Sequence, residues 1–269
     1  MIREVRGLVL RSIQYGDFDK LITILTEEGK IFFKARGIRS ITSKNAAGCA
    51  AFVYSEFILE QRGDKAYLRK AVPLFSTVKT GCDVTTLALA SFLAEVAEDA
   101  ALDPETGKSV LHLVMNALFL LAKEDRPTDL IRSVFELRLL AANGQMPLFG
   151  TCARCGRDLE NEEKVYIRLG EGDFICSGCF TGREENLRRI SRDVYHLARR
   201  SMAAPENEAY ALKVPEKTLD EFASFAEKFF LFQMERGYNS LKFYHEVKKL
   251  PVPGEELKSK EDKEENDAL

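Results

Sequence analysis

Two short cysteine pairs, Cys152-Ala153-Arg154-Cys155 and Cys176-Ser177-Gly178-Cys179, stand twenty residues apart in the 269-residue chain. A Cys-x-x-Cys pair folds as a tight turn that points two sulfurs at one ion, and two such pairs make a closed tetrahedral cage. Four thiolates suit Zn2+ and leave no coordination position for a substrate. Cys152, Cys155, Cys176 and Cys179 are therefore expected to hold a structural zinc ion, with Gly156 and Gly178 supplying backbone freedom at the turns. Disulfides suit an oxidising compartment rather than the cytoplasm expected here, and a redox dithiol normally uses one pair. Cys49 and Cys82 stand alone and read as small buried hydrophobes.

A second chemistry lies near the start. Lys30, Lys34, Arg36, Arg39 and Lys44 fall within fifteen residues that contain no acid. In a strand Lys34 and Arg36 point to one face, and Gly37 lets the backbone turn close to a phosphate. These five are expected to line a polyanion-binding rim; the competing reading is a solvated strand face. Tyr15, Phe18 and Tyr67 are nearby aromatics that serve either base stacking or the core. Arg188, Arg192 and Arg199, at i, i+4 and i+11 on an expected helix, form a weaker second candidate for a DNA or protein contact. Gly107-Lys108-Ser109 resembles the end of a phosphate loop, but Leu102 occupies the place of the required glycine. The histidines, His112, His196 and His245, fall on separate expected helices, and no nucleophile–base arrangement is visible. The chain reads as a binding protein, not an enzyme.

The elements that must position these residues follow from periodicity. Residues 1–80 show five β-branched or alternating runs, closed by Gly16, Glu28-Gly29, Gly37 and Gly63-Asp64. Five strands with a basic surplus, 14 basic against 8 acidic residues in this stretch, make an oligonucleotide-binding (OB) barrel the leading expectation. Helical periodicity then predicts helices over 84–97, capped by Asp83, and over 105–123 and 128–143. A hairpin over 164–175 would return the second cysteine pair to the first. Further helices are expected over 186–202, 215–236 and 238–250. The fold class expected is α+β and multidomain: an OB barrel over 1–80, a helical domain over 81–149 and 183–250, and a four-cysteine insert over 150–182. A flexible charged tail is expected over 251–269. No apolar run reaches the ~18–20 residues of a membrane span, and charges occupy the place of a signal sequence, so the protein is expected in the cytoplasm.

The run Gln14-Tyr15-Gly16-Asp17-Phe18-Asp19-Lys20-Leu21-Ile22-Thr23-Ile24-Leu25-Thr26, then Gly29-Lys30 and Ala35-Arg36-Gly37, resembles the opening of the bacterial DNA repair protein RecO family. That family pairs a Y-G-E-x-D turn with a β-run ending in Thr, a G-K turn and an A-R-G-A-R-R segment. Asp17 departs from the usual Glu, and Ser40 replaces a basic residue after Gly37. The resemblance continues through the helical domain, the four-cysteine insert and a closing Leu241-Lys242 segment. It implies an OB-fold binding single- and double-stranded DNA and a recombination mediator of the RecF pathway. Such a mediator anneals complementary strands and, with RecR, helps RecA load on DNA coated by single-stranded DNA-binding protein, whose acidic tail docks on the helical domain in some members. The alternatives left open are an interaction scaffold, an RNA-binding OB protein with a zinc ribbon, and a metal-dependent nuclease or deaminase, which would need an open metal position. Five phosphate contacts on one strand would give a log–log salt slope of about -3.5, which a salt titration reads directly.

Overall fold

Short β-branched runs separated by glycine turns cannot bury both faces alone, and here they close on themselves. In the computed structural model, which describes residues 1–79, 81–183 and 186–250, the strands are β1 (Ile2–Tyr15), β2 (Asp19–Thr26), β3 (Gly29–Ala35), β4 (Val53–Arg62) and β5 (Lys65–Ser76). They form a closed barrel in the order β1-β2-β3-β5-β4, with β4 returning to β1. A single parallel pairing, Lys34 with Tyr67, joins β3 to β5. This is the five-stranded arrangement of an OB barrel. Val9, Ile22, Ile24, Phe33, Phe57 and Leu59 fill its interior.

The imperfect alternation of β1 has a cause. Leu8, Val9 and Leu10 are all buried, because Val9 faces the barrel interior while Leu8 and Leu10 belong to the core of the helical domain. A register shift between Val9 and Arg11 accompanies this double duty. Before β4, Phe52 takes a left-handed backbone (φ 64°) and stands outside the register in which Val53, Ser55, Phe57 and Leu59 turn inward.

Helices α1 (Val84–Ala100), α2 (Pro104–Lys123) and α3 (Thr128–Ala142) follow. Asp83 caps α1 by accepting from the Thr86 amide, and Asp103 with Thr106 forms a capping box on α2. Leu87 of α1 is exposed, although Ala88, Leu89 and Ala90 beside it are buried. Next come β6 (Lys164–Arg168), β7 (Asp173–Cys176) and β8 (Leu187–Ser191), a small sheet in the order β7-β6-β8. The described residues finish with α4 (Arg192–Ala203), the short α5 (Glu206–Ala209), α6 (Glu216–Gln233) and α7 (Asn239–Lys248). The expected helix over 186–202 is thus corrected. Its first turn is strand β8, since Ile190 buries against the sheet and the helix cap, Ser191, comes only afterwards. Arg188 therefore lies on a strand and shares no helix face with Arg192 and Arg199. Phe222, Phe229 and Phe230 of α6 are fully buried, and Phe92 and Tyr238 pack edge-on. Buried Arg132 of α3 pairs with Glu136 one turn further along and ties α3 to α6 through Glu227, each at 2.8 Å. Among the described residues no helix is long and apolar enough to cross a membrane. The expected tail over 251–269 lies outside the described residues.

Barrel and helices meet at a close backbone approach. A Cβ on Gly107, in the first turns of α2, would lie 2.9 Å from the Gly29 Cα. The glycine of the rejected phosphate-loop lookalike is there for packing. Gly107→Ala should destabilise the protein by about 1–3 kcal/mol through overpacking, although an unobstructed helix site would gain about 1 kcal/mol from the same change. Urea unfolding measures the sign.

Candidate nucleic-acid interface and metal centre

The first cysteine pair sits on a turn closed by the Gly156 amide donating to the Cys152 carbonyl at 2.9 Å, with Gly156 at φ 72°. Gly178 has no such backbone; it lies in a 3-10 turn, Ser177–Cys179, so the expectation for it is corrected. The hairpin β6–β7, turned at Gly172 (φ 68°), returns Cys176 and Cys179 to the first pair. All four sulfurs lie within 4.8 Å of one another, and Cys155 and Cys176 are 3.7 Å apart. A tetrahedron with metal–sulfur bonds of about 2.3 Å has edges of about 3.8 Å, so the donor set fits one metal ion. Burial opposes the Cys152 thiolate, but the amides of Cys176, Cys155 and Arg154 outweigh it and bring the group down to about 6.

On the barrel, the strands present a groove of about 530 Å3. Its floor follows from strand register. Ile13 is opposite Leu21, Leu21 opposite Lys34, and Lys34 opposite Tyr67; one step along, Arg11, Thr23 and Phe32 align. Tyr15 is 51% exposed and Phe32 61%, and Ile13 and Leu21 are also open. The Lys34 ammonium stands 4.3 Å from the Tyr15 ring centroid and pairs with Asp19 at 2.8 Å. That hydrogen bond, with a second from the Gly37 amide, holds the Asp19 carboxyl below the usual carboxylate range. Arg36 lies over the Tyr67 ring at 4.7 Å and Arg62 at 5.5 Å.

The five expected rim cations are not equivalent. Lys34 lines the groove, and Arg36 reaches its edge only through the Tyr67 ring it covers. Lys30 shares the face of Phe32 and Lys34, but its ammonium donates to the Glu98 carbonyl at 2.5 Å, in the last turns of α1. Arg39 donates to the Asp17 carbonyl at 2.7 Å, and its backbone amide to Phe18 at 3.0 Å, clamping the β1–β2 turn. Lys44 is exposed on the loop before β4. The second candidate divides as well. Arg192 donates to Asn161, and Arg199 pairs with Glu160, so both tie α4 to the insert. Arg188 borders a slot of about 60 Å3 with Arg189, Phe225 and Lys228. That is room for a few waters rather than an aromatic ring.

Sequence reasoning missed Phe32, Arg11, Lys65 and Arg62. One signal was available: adjacent Phe32 and Phe33 in a strand must face opposite ways, so one of them leaves the barrel interior.

Two family models match the chain, one described as recombination protein O N terminal over residues 1–76, the other as recombination protein O C terminal over residues 82–242. The chain belongs to the RecO family. The protein named DNA repair protein RecO of Acetivibrio thermocellus is 28% identical over 239 residues, covering 88% of this chain and 94% of that protein. Its namesake from Alkaliphilus metalliredigens is 27% identical over 249 residues, covering 92% of this chain and 100% of that protein. The two RecO matches divide between β5 and α1. The RecO-like motifs of the opening residues pack on each other, with Asp19 capping Gly37 and Arg39 holding Asp17.

The purified protein should carry one equivalent of divalent metal by elemental analysis. Cys152→Ser or Cys176→Ser should lose it and lower Tm, while hydrogen exchange quickens around residues 151–180 and leaves the barrel protected.

Proposed function

We propose that the chain is a DNA repair and recombination protein that holds single strands in the barrel groove. The observation that carries this reading is the open aromatic floor. Tyr15 and Phe32 are exposed, and Tyr67 is partly so, on the outer face of an OB barrel beside Lys34, Arg36 and Lys65. A barrel gains nothing in stability from leaving aromatic rings in water, whereas stacking on such rings is worth about 1–3 kcal/mol per base. Charge plays the smaller part. With Lys30 held by α1 and Arg39 by the turn, Lys34, Arg36 and Lys65 remain as phosphate contacts, and three contacts give a slope of about -2 on a single strand.

The finer role follows the family. Two strands neutralised on one surface repel each other less and pair sooner, which supports strand annealing. The same surface, with RecR and the acidic tail of single-stranded DNA-binding protein as partners, would assist RecA loading on coated DNA. Duplex DNA would bind through the same cations with less stacking. The four-cysteine site would hold Zn2+ as a brace. No step needs covalent chemistry.

Fluorescence anisotropy with a labelled oligonucleotide tests the groove. Phe32→Ala and Tyr67→Ala should each weaken single-strand binding by about tenfold, the loss expected for one stacked base, with the salt slope nearly unchanged. Arg36→Glu should flatten the slope. Unaltered affinity in both aromatic variants overturns the groove assignment. Preference for RNA of the same sequence favours the ribbon-type RNA binder, and annealing confined to uncoated strands overturns the mediator role.

A further inference from the structure

The barrel groove does not run freely off the strands; it ends against α1. Arg11 and Glu98 line it and also line a second groove of about 410 Å3, bounded by Leu10, Ser12, Phe52, Ser91, Glu95 and Ser240. These two residues are therefore the partition between the grooves. The Glu98 side chain is only 17% exposed, with its carboxylate 3.9 Å from the Arg11 guanidinium, and its main-chain carbonyl accepts the Lys30 ammonium. Across the partition the lining changes character. On the barrel side stand Lys34, Lys65 and the aromatic floor; on the far side Glu95 adds a second carboxylate, hydrogen-bonded by Ser240.

We infer that Glu98 is the end stop of the nucleic-acid track, a specificity-determining residue that withholds Arg11 from phosphate and fixes where the strand leaves the barrel. The inference rests on the groove reading above. A phosphodiester advancing from Lys34 past Phe32 meets a carboxylate held in place by its own helix, and like charges in a partly dehydrated cleft repel strongly. Arg11, among the described residues the one cation lining the groove at that end, is already engaged by Glu98. The strand must turn outward there, over β1, rather than follow β3 toward Lys30. The helical domain thus limits the length of strand that the barrel engages.

Glu98→Gln keeps the shape of the side chain and the backbone bond to Lys30 while removing the charge. Binding is read by anisotropy on thymidine oligomers of about four and about fifteen nucleotides, the span of sites found on one OB fold. The short oligomer should bind the variant as it binds the parent. The long one should bind more tightly, with a salt slope steeper by about 0.7 as Arg11 gains a phosphate. Adding Arg11→Ala to Glu98→Gln should remove that extra slope. Glu98→Ala repeats the measurement with a side chain too short to reach Arg11, and thermal melts establish that each variant is folded. An equal gain on both lengths, no gain on either, or a gain that survives Arg11→Ala overturns the end stop. Phe32→Ala in the same series separates the two ideas. If it and Tyr67→Ala both fail to weaken the long oligomer, the groove reading is lost; if they weaken binding but Glu98→Gln shows no length dependence, only the end stop is lost.

Discussion

The outer face of the barrel carries large apolar side chains along β1, β2 and β3, and only part of them is kept from water. Helices α1 and α2 cover one part, drawing Leu8, Leu10 and Leu25 into the larger core. Burying three such side chains contributes about 2 kcal/mol each, as an upper figure. The rest of the face, Ile13, Tyr15, Leu21 and Phe32, is left open. Where the cover stops is decided by backbone contact, because Gly107 of α2 meets Gly29 with no space for a methyl group. The groove, the capture of Lys30 and the placing of Glu98 at the groove's end are consequences of that one docking geometry.

The cations around the groove are mostly occupied by partners. Lys34 serves Asp19 and Tyr15, Arg36 and Arg62 lie on Tyr67, and Arg62 and Arg69 share Glu60. Exposed ion pairs of this kind add little to stability, and a phosphate can replace the carboxylate at small cost. They hold long side chains in place beside the aromatic floor. On the proposed function, charge would bring the strand to the groove and align it, while ring surface would supply the short-range attraction.

The cysteine insert does not depend on its four-sulfur cluster alone. Val165, Ile167 and Phe174 of its sheet belong to the main core, and Phe149, Phe174 and Tyr195 form a three-ring cluster that docks the sheet on α4. His196 and Arg199 of α4 reach Glu160, and Arg192 reaches Asn161. A metal ion held by the four cysteines would therefore brace the two cysteine turns, while hydrophobic burial secures the strands behind them.

Local chemistry was legible without any structure. The cysteine spacing announced a cage, Asp83 marked a helix start, and the turn glycines counted out the barrel strands. A short segment such as Leu187–Ser191 was not, because five residues suit a strand or a helix turn equally and only pairing with β6 decides. Nor was the fate of the cations. Lys30 is claimed by a carbonyl 68 positions away and Arg39 by one 22 positions away. Sequence by itself determined which side chains carry charge, sulfur and rings, and on which side of a strand they alternate. Tertiary structure alone decided which of those sides the helices would cover, since burial depends on neighbours that are distant along the chain.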